Sequence, residues 1–175
     1  QSGGSATGLI DLALGNIGGS GRSAGARWAG FGDGRSEYAA NYREPSLLGL
    51  GVGASLSLFA QVFDSLYTQT RWSLALDSRP FSKLRAGAAL RHSGSVYTGA
   101  GRGSSGTLSL EGRLAWGSLA PRLNPARGLG LSLGLEAGRR TDRYPGVARE
   151  ERGYLRGSLF CEAARPTGAS RALCS

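Results

Sequence analysis

The sequence predicts an all-β protein: an antiparallel up-and-down sheet of about eight strands, closed into a barrel, in a single domain over residues 1–175. Three observations predict it. Apolar residues recur at every second position in one segment after another, which is the period of a strand with two unlike faces. Turn-forming residues separate these segments. No segment shows the 3.6-residue period of an amphipathic helix.

The first four predicted strands cover residues 8–15, 24–31, 47–62 and 65–77. In the first, Ile10, Leu12 and Leu14 alternate with polar or small residues. In the third, apolar residues alternate with glycine and serine, but Phe59 and Phe63 interrupt the pattern, and we expect a bulge or corner there. In the fourth, threonines, a tryptophan and leucines share one face, as in a half-buried strand.

The last four predicted strands cover residues 83–92, 106–117, 128–138 and 152–163, followed by a C-terminal tail at 164–175. The 128–138 segment is the clearest, because every second residue from Leu129 to Ala137 is apolar and the residues between them are small or acidic. Polar connections are predicted at 32–46, 93–105 and 139–151, and a proline-containing connection at 118–127.

The contents of the two faces predict a transmembrane barrel. The apolar faces of the eight strands hold no Asp, Glu, Lys or Arg, whereas the opposite faces are mostly small residues with a few charges. Small residues with sparse charges suit a narrow polar lumen, and arginine suits the ion pairs within it. The predicted lumenal charge network comprises Arg71, Arg85, Arg91, Glu111, Arg113, Glu136 and Arg156, joined by Arg27 and Asp11 in the first two strands.

Segment lengths and tryptophans agree with a bilayer-spanning barrel. No stretch approaches the ~18–20 uninterrupted apolar residues of a spanning helix, whereas strands of about ten residues match the tilted span of a β-strand. Trp28, Trp72 and Trp116 all fall on apolar faces and are predicted to be interfacial aromatic residues. Core tryptophans of a soluble barrel are the alternative.

In strand number, alternating faces and polar loops, residues 8–163 resemble the small bacterial outer-membrane barrels of the OmpA and OmpX type. The resemblance is one of architecture. It implies an exported protein of a Gram-negative outer membrane that serves as a structural, anchoring or partner-binding component. Its implied partners are the lipid bilayer, lipopolysaccharide and other envelope proteins. Three alternatives stay open: a narrow anion-preferring pore, a lipid A-modifying hydrolase, and a soluble secreted barrel that binds a ligand.

The hydrolase alternative depends on His92, the single histidine of the chain. Ser93 would be the nucleophile, His92 its general base and Glu111 on the next strand the orienting acid, with Ser95 as a second candidate nucleophile. Adjacent residues of a strand face opposite ways, which favours a surface histidine and no enzymatic activity.

The charge pattern argues against nucleic acid as a partner. The formal net charge is +9, but the basic residues, all arginine except Lys83, are dispersed and lack interleaved aromatic residues. The arginines of residues 139–152 suit lipopolysaccharide phosphates, with loop solvation as the alternative. No cofactor is predicted, because the glycine-rich segments lack the following helix or the Gly-Lys-Ser/Thr sequence of phosphate-binding motifs.

The start of the chain and its cysteines agree with export. The chain begins at Gln1 without a leader, which predicts a mature protein whose signal peptide was removed. Cys161 and Cys174 lack metal-ligand spacing, so no metal is predicted. In an oxidising compartment they are predicted to form a disulfide, with two separate thiols as the alternative.

Overall fold

The computed structural model describes residues 7–63, 66–98, 102–117, 128–164 and 171–174, and these form one antiparallel sheet. None of the described residues forms a helix long and apolar enough to cross a membrane. One 3-10 helix, η1, covers Leu47–Gly49. The nine long strands and one short strand are β1 Gly8–Ile17, β2 Arg22–Gly30, β3 Arg35–Glu44, β4 Val52–Phe63, β5 Tyr67–Phe81, β6 Leu84–Tyr97, β7 Gly103–Gly117, β8 Gly128–Arg143, β9 Glu150–Ala164 and β10 Arg171–Cys174.

The strands follow their order in the sequence, and each is antiparallel to its neighbours. This confirms the all-β, antiparallel, up-and-down prediction. The predicted count of about eight strands is wrong, because there are nine long strands. Over the described residues no pairing joins β1 to β9 or β10, so the sheet is open. The predicted tail also contains β10, which pairs with the last four residues of β9.

The long strand that was not predicted is β3, which lies where a loop at 32–46 was expected. On this strand Tyr38, Ala40 and Tyr42 alternate with Ala39 and with polar residues, and the strand pairs continuously with β4 from Arg35 to Glu44. The alternation was missed because tyrosine and alanine are weaker hydrophobic signals than leucine, and because the other face carries dense polar residues. Backbone hydrogen bonds form irrespective of that composition.

Three other predicted boundaries are wrong, the first two because polar residues also pair through their backbones. The expected loops at 93–105 and 139–151 lie largely within extended strands, since β6 runs to Tyr97 and β8 to Arg143. The strand expected to begin at residue 47 begins at Val52, after η1. No bulge occurs at Phe59 or Phe63, because β4 keeps continuous register with both neighbours from residue 54 to 63.

The register collects the alternating apolar residues of all nine long strands on one side of the sheet, here called the leucine face. One row of directly opposed residues illustrates the face: Leu14, Ala24, Tyr42, Leu56, Leu74, Leu90, Leu110, Ala137 and Leu155, from β1 to β9. The opposite side is the polar face. All nine charged residues predicted to be lumenal lie on that polar face.

The sheet exposes its apolar residues and partly covers its polar ones, which is the reverse of the arrangement in a soluble protein. Along β8 the leucines are exposed, from 42% at Leu133 to 53% at Leu135, whereas the alternating small and acidic residues are partly covered. Among the described side chains only Ala29 and Ser109 are buried. The accessible surface is 12519 Å², against roughly 8,100 Å² expected for a compact monomer of this mass. The leucine face therefore has no cover within the described part of the chain.

Candidate functional site

The polar face is concave and lines an open cavity. A cavity of about 470 Å³ is lined by Phe59 of β4 and by Tyr154 of β9, which are five strands apart. In a flat sheet those strands would be separated by about 24 Å. The sheet therefore curls around its polar side, with the leucine face on the convex side. We call this space the lumenal cavity; its other polar-face lining residues include Arg71, Ser73, Arg91, Ser93, Thr107, Ser109 and Glu136.

Glu111 is the centre of an ion-pair cluster beside the cavity. It contacts Arg91 of the preceding strand and Arg113 of its own strand, where Arg113 Nη2 donates to Glu111 Oε1 at 2.6 Å. The Glu111 side chain is only 14% exposed, whereas the two arginines are about half exposed or more. The structure thus brings together three members of the predicted charge network.

Glu136 lies directly opposite Glu111 on the next strand and has its own partners. The Tyr154 hydroxyl donates a hydrogen bond to Glu136 Oε1 at 3.0 Å, and Arg156 Nη1 lies 4.0 Å from Glu136 Oε2. Tyr154 lies within the strand predicted over residues 152–163, but its contact with Glu136 was not identified because it depends on the register between β8 and β9. Its ring also lies against Gly138, so close that a Cβ there would meet it at 2.4 Å.

Arg71 and Arg85, also predicted members of the network, are arranged differently. The Arg71 guanidinium lies 4.3 Å from the centroid of the Phe59 ring, a cation–π arrangement. Among the ion pairs between described residues, neither arginine has a carboxylate partner. The Phe59 contact was not predicted, because Phe59 appeared to break the pattern of its strand.

The predicted strands placed six arginines and three acids on the polar face. In the structure the numbers of positive and negative charges on this face are closer to each other. The additional and longer strands bring further residues of both signs. Among the paired positions of β1 to β9, ten arginines lie on this face, at positions 27, 35, 43, 71, 85, 91, 113, 140, 152 and 156, with eight acids at 11, 37, 77, 111, 136, 142, 150 and 162.

The apolar residues of the leucine face form a band, here called the apolar band. The band runs obliquely across the rows of directly opposed residues. The row through Leu12, midway along the apolar part of β1, reaches Arg139 in β8. The apolar part of β8, Leu129 to Ala137, lies entirely to one side of that row. Such a stagger arises where strands tilt relative to the axis of a barrel, because a level band then crosses each strand at a different residue.

The three tryptophans lie at the borders of this band. Rim 1 denotes the edge of the sheet that carries the β1–β2, β3–β4 and β5–β6 turns, and rim 2 is the opposite edge. On the leucine face, the next residue towards rim 2 is Thr70 for Trp72 and Gly30 for Trp28. Trp116 lies at the rim 1 end of β7. Tyr38 and Tyr42 flank the band in β3 in the same way. The strand periodicity alone did not reveal these tyrosines.

Charges on the leucine face occur only beyond this band, over the described residues. At rim 1 Arg22 Nε pairs with Glu44 at 2.6 Å. At rim 2 Arg139 and Arg149 both pair with Glu151. Residues 139–152 contain the five arginines that were proposed to meet lipopolysaccharide. Four of them have acidic partners, because Arg140 also pairs with Asp142 and Arg152 with Glu150. The fifth, Arg143, forms none of the ion pairs between described residues.

The structure does not bring together the histidine, serine and carboxylate of the hydrolase alternative. His92 lies on the leucine face, where its ring is 5.6 Å from that of Trp72. Ser93, Ser95 and Glu111 lie on the polar face. The backbone of the sheet separates the imidazole from every candidate partner.

The two cysteines occupy opposed positions. Cys161 of β9 and Cys174 of β10 are directly paired in the register. No disulfide is found among the side chains that the structure describes, and the side chain of Cys174 is outside them. The disulfide stays a prediction.

Comparison with known proteins identifies no relative: no protein-family model, curated protein or solved structure matches the sequence.

Proposed function

We propose that the chain is a transmembrane β-barrel of a bacterial outer membrane that acts as an anchoring or partner-binding component. The observation that carries the proposal is the exposed, charge-free leucine face, bordered by aromatic residues and then by charges. A bilayer supplies the cover that the chain lacks, since lipid tails accept leucine and interfacial headgroups accept tryptophan and tyrosine. Strands of 14–16 residues such as β6 and β8 exceed the ~9–11 residues needed to cross, so their polar ends extend beyond the bilayer.

The proposed barrel closes between β10 and β1. In hydrocarbon every backbone N–H and C=O needs a partner, so the free edges of β1 and β9 have to be covered. In an up-and-down sheet β1 and β9 run parallel, whereas β10 runs antiparallel to β1. An antiparallel closure therefore needs a tenth strand, which gives the even number typical of bacterial outer-membrane barrels. The four residues of β10 begin this strand and cover β9 only at residues 161–164. The proposed barrel keeps the architectural resemblance to the OmpA and OmpX type, with ten strands in place of eight.

A narrow anion-preferring pore is the second candidate, favoured by Arg71 and Arg85. Both lie on the concave face without a carboxylate partner among the described residues. Unpaired positive charge along a wet path would attract anions. The Glu111 and Glu136 clusters favour the anchoring function, because they occupy the same interior with paired charges.

Extraction and electrophoresis test the membrane location. We expect the protein to leave the membrane fraction only with detergent and to migrate faster on an unheated gel than after boiling. Recovery from the soluble fraction as a monodisperse protein would contradict the proposal and favour a soluble ligand-binding barrel. Purified protein in planar bilayers separates the two membrane functions: silence supports the anchor, and anion-selective single-channel currents that vanish in Arg85→Gln support the pore.

A further inference from the structure

The lumenal cavity has the dimensions of a small-molecule site. Its volume of about 470 Å³ lies within the ~300–1,000 Å³ typical of such sites. Its walls belong to β4 through β9, so it does not depend on how the edge strands β1 and β10 are joined. It also needs only the curled polar face and not a membrane location.

One wall of the cavity offers a cation without a carboxylate partner among the described residues. Arg71 lies over the Phe59 ring, with its guanidinium carbon 4.3 Å from the ring centroid. Its cross-strand neighbour on the other side is Ser93, and no ion pair between described residues engages it. By contrast, Arg91 and Arg113 already share Glu111. A planar, unpaired guanidinium favours bidentate contact with a carboxylate or phosphate.

The rest of the polar wall carries hydroxyl groups, the carboxylate of Glu136 and the guanidinium group of Arg91, which already contacts Glu111. Ser93 of β6 lies opposite Thr107 of β7, and Ser109 lies two residues further along β7; we call these three the hydroxyl row. Glu136 lies beyond them beside the Tyr154 hydroxyl. Hydroxyl groups both donate and accept, and a carboxylate accepts, so this wall matches a ligand rich in hydroxyls. The aromatic rings of Phe59 and Tyr154 at the two ends give the cavity apolar surfaces suited to the faces of a sugar ring.

We propose that the lumenal cavity binds a monosaccharide that carries one acidic group. The acidic group pairs with Arg71, the ring hydroxyls contact Ser93 and Thr107, and the far hydroxyls donate to Glu136. A neutral sugar lacks the partner for Arg71, and a simple anion lacks the partners for the hydroxyl row. Binding therefore requires both properties in one molecule.

Calorimetric titration of the detergent-solubilised full chain with glucuronate tests the proposal, with glucose and acetate as comparison ligands. We expect saturable binding of glucuronate that is at least about tenfold tighter than binding of either comparison ligand. Arg71→Gln should weaken it by about tenfold or more, and Arg71→Lys by less. The matched control is Arg85→Gln, which removes the same charge from the same face outside the cavity and should leave the affinity within about twofold.

Two results would overturn the proposal. One is the lack of saturable glucuronate binding by the wild-type chain. The other is equal weakening by Arg71→Gln and Arg85→Gln, which would mean attraction by the overall field of the polar face. Should Arg71→Gln fail to show the heat-dependent gel shift of the wild type, Ser93→Ala replaces it. That variant removes one predicted hydroxyl contact, and unchanged affinity would contradict the site.

Discussion

Glu111 of β7 and Glu136 of β8 lie directly opposite each other on the polar face. Two carboxylates at opposed cross-strand positions repel, so each needs its own neutralising partners. Arg91 and Arg113 contact Glu111, whereas Tyr154 and Arg156 contact Glu136. The interior of the curl is thus organised around two adjacent acidic positions with separate sets of partners.

Glu111→Gln is expected to lower the stability of the protein by about 1–3 kcal/mol, because it leaves two arginines beside a poorly exposed position without their carboxylate. The measurement is the urea midpoint of unfolding in detergent micelles. The control is Asp11→Asn, which removes an exposed pair whose atoms are 3.9 Å apart and should change the midpoint little. Equal effects of the two variants would contradict the role given to the cluster.

Arginine on the leucine face is expected to destabilise according to its depth in the band. Leu133→Arg, near the middle of the apolar part of β8, should cost about 2–4 kcal/mol. Leu131→Arg should cost less, because Leu131 lies opposite Trp116 near the border of the band. Urea titration in lipid vesicles gives both values, with Ser132→Arg on the polar face as a control for charge alone. A variant Leu133→Arg that folds normally in buffer without detergent would show that the face is exposed to water.

The disulfide between Cys161 and Cys174 is expected in protein taken from its native compartment. The register opposes the two residues, and closing the intervening loop should stabilise the fold by about 3 kcal/mol. Thiol titration of the unfolded, unreduced protein should find no free thiol. Two reactive thiols per chain would show that the strands are joined by backbone pairing alone.

The rim 2 end of β8 is expected to loosen in acid. A hydrogen bond from Ser105 and a second from Arg140 lower the pKa of Asp142. A lowered pKa in the folded state contributes stability above the unfolded pKa, and the contribution is lost as the pH falls through the folded value. The protection factors of amide hydrogen exchange in this segment, which correct for the pH dependence of the intrinsic exchange rate, should therefore fall below about pH 4. Asp142→Asn should show the lower protection factors already at neutral pH, and protection factors that do not change with pH in the wild type would contradict the assignment.

The alternation of side chains was sufficient to predict an all-β, antiparallel, up-and-down sheet and the sorting of the two faces, but not a closed sheet. The charge-free leucines of β7 and β8 and the lumenal arginines lie on the faces expected for them. Strand β3 was missed because Tyr38 and Tyr42 give a weak alternation, and the long ends of β6 and β8 because polar residues pair through their backbones as well as apolar ones do.

Contacts within the site depend on register, which the sequence pattern leaves open. Neither the opposition of Glu111 and Glu136 nor the position of Arg71 over Phe59 follows from the period of one strand. The same limit applied to His92, whose face was predictable but whose neighbour Trp72 was not.

Fluorescence quenching of the native tryptophans tests whether the leucine face contacts lipid. Trp28, Trp72 and Trp116 all lie on that face and are the only tryptophans in the chain. In vesicles containing phospholipids brominated along the acyl chain, we expect strong quenching of the emission and little further quenching by aqueous iodide. Emission unaffected by the brominated lipids but quenched by iodide would place the leucine face in water and contradict the proposed membrane location.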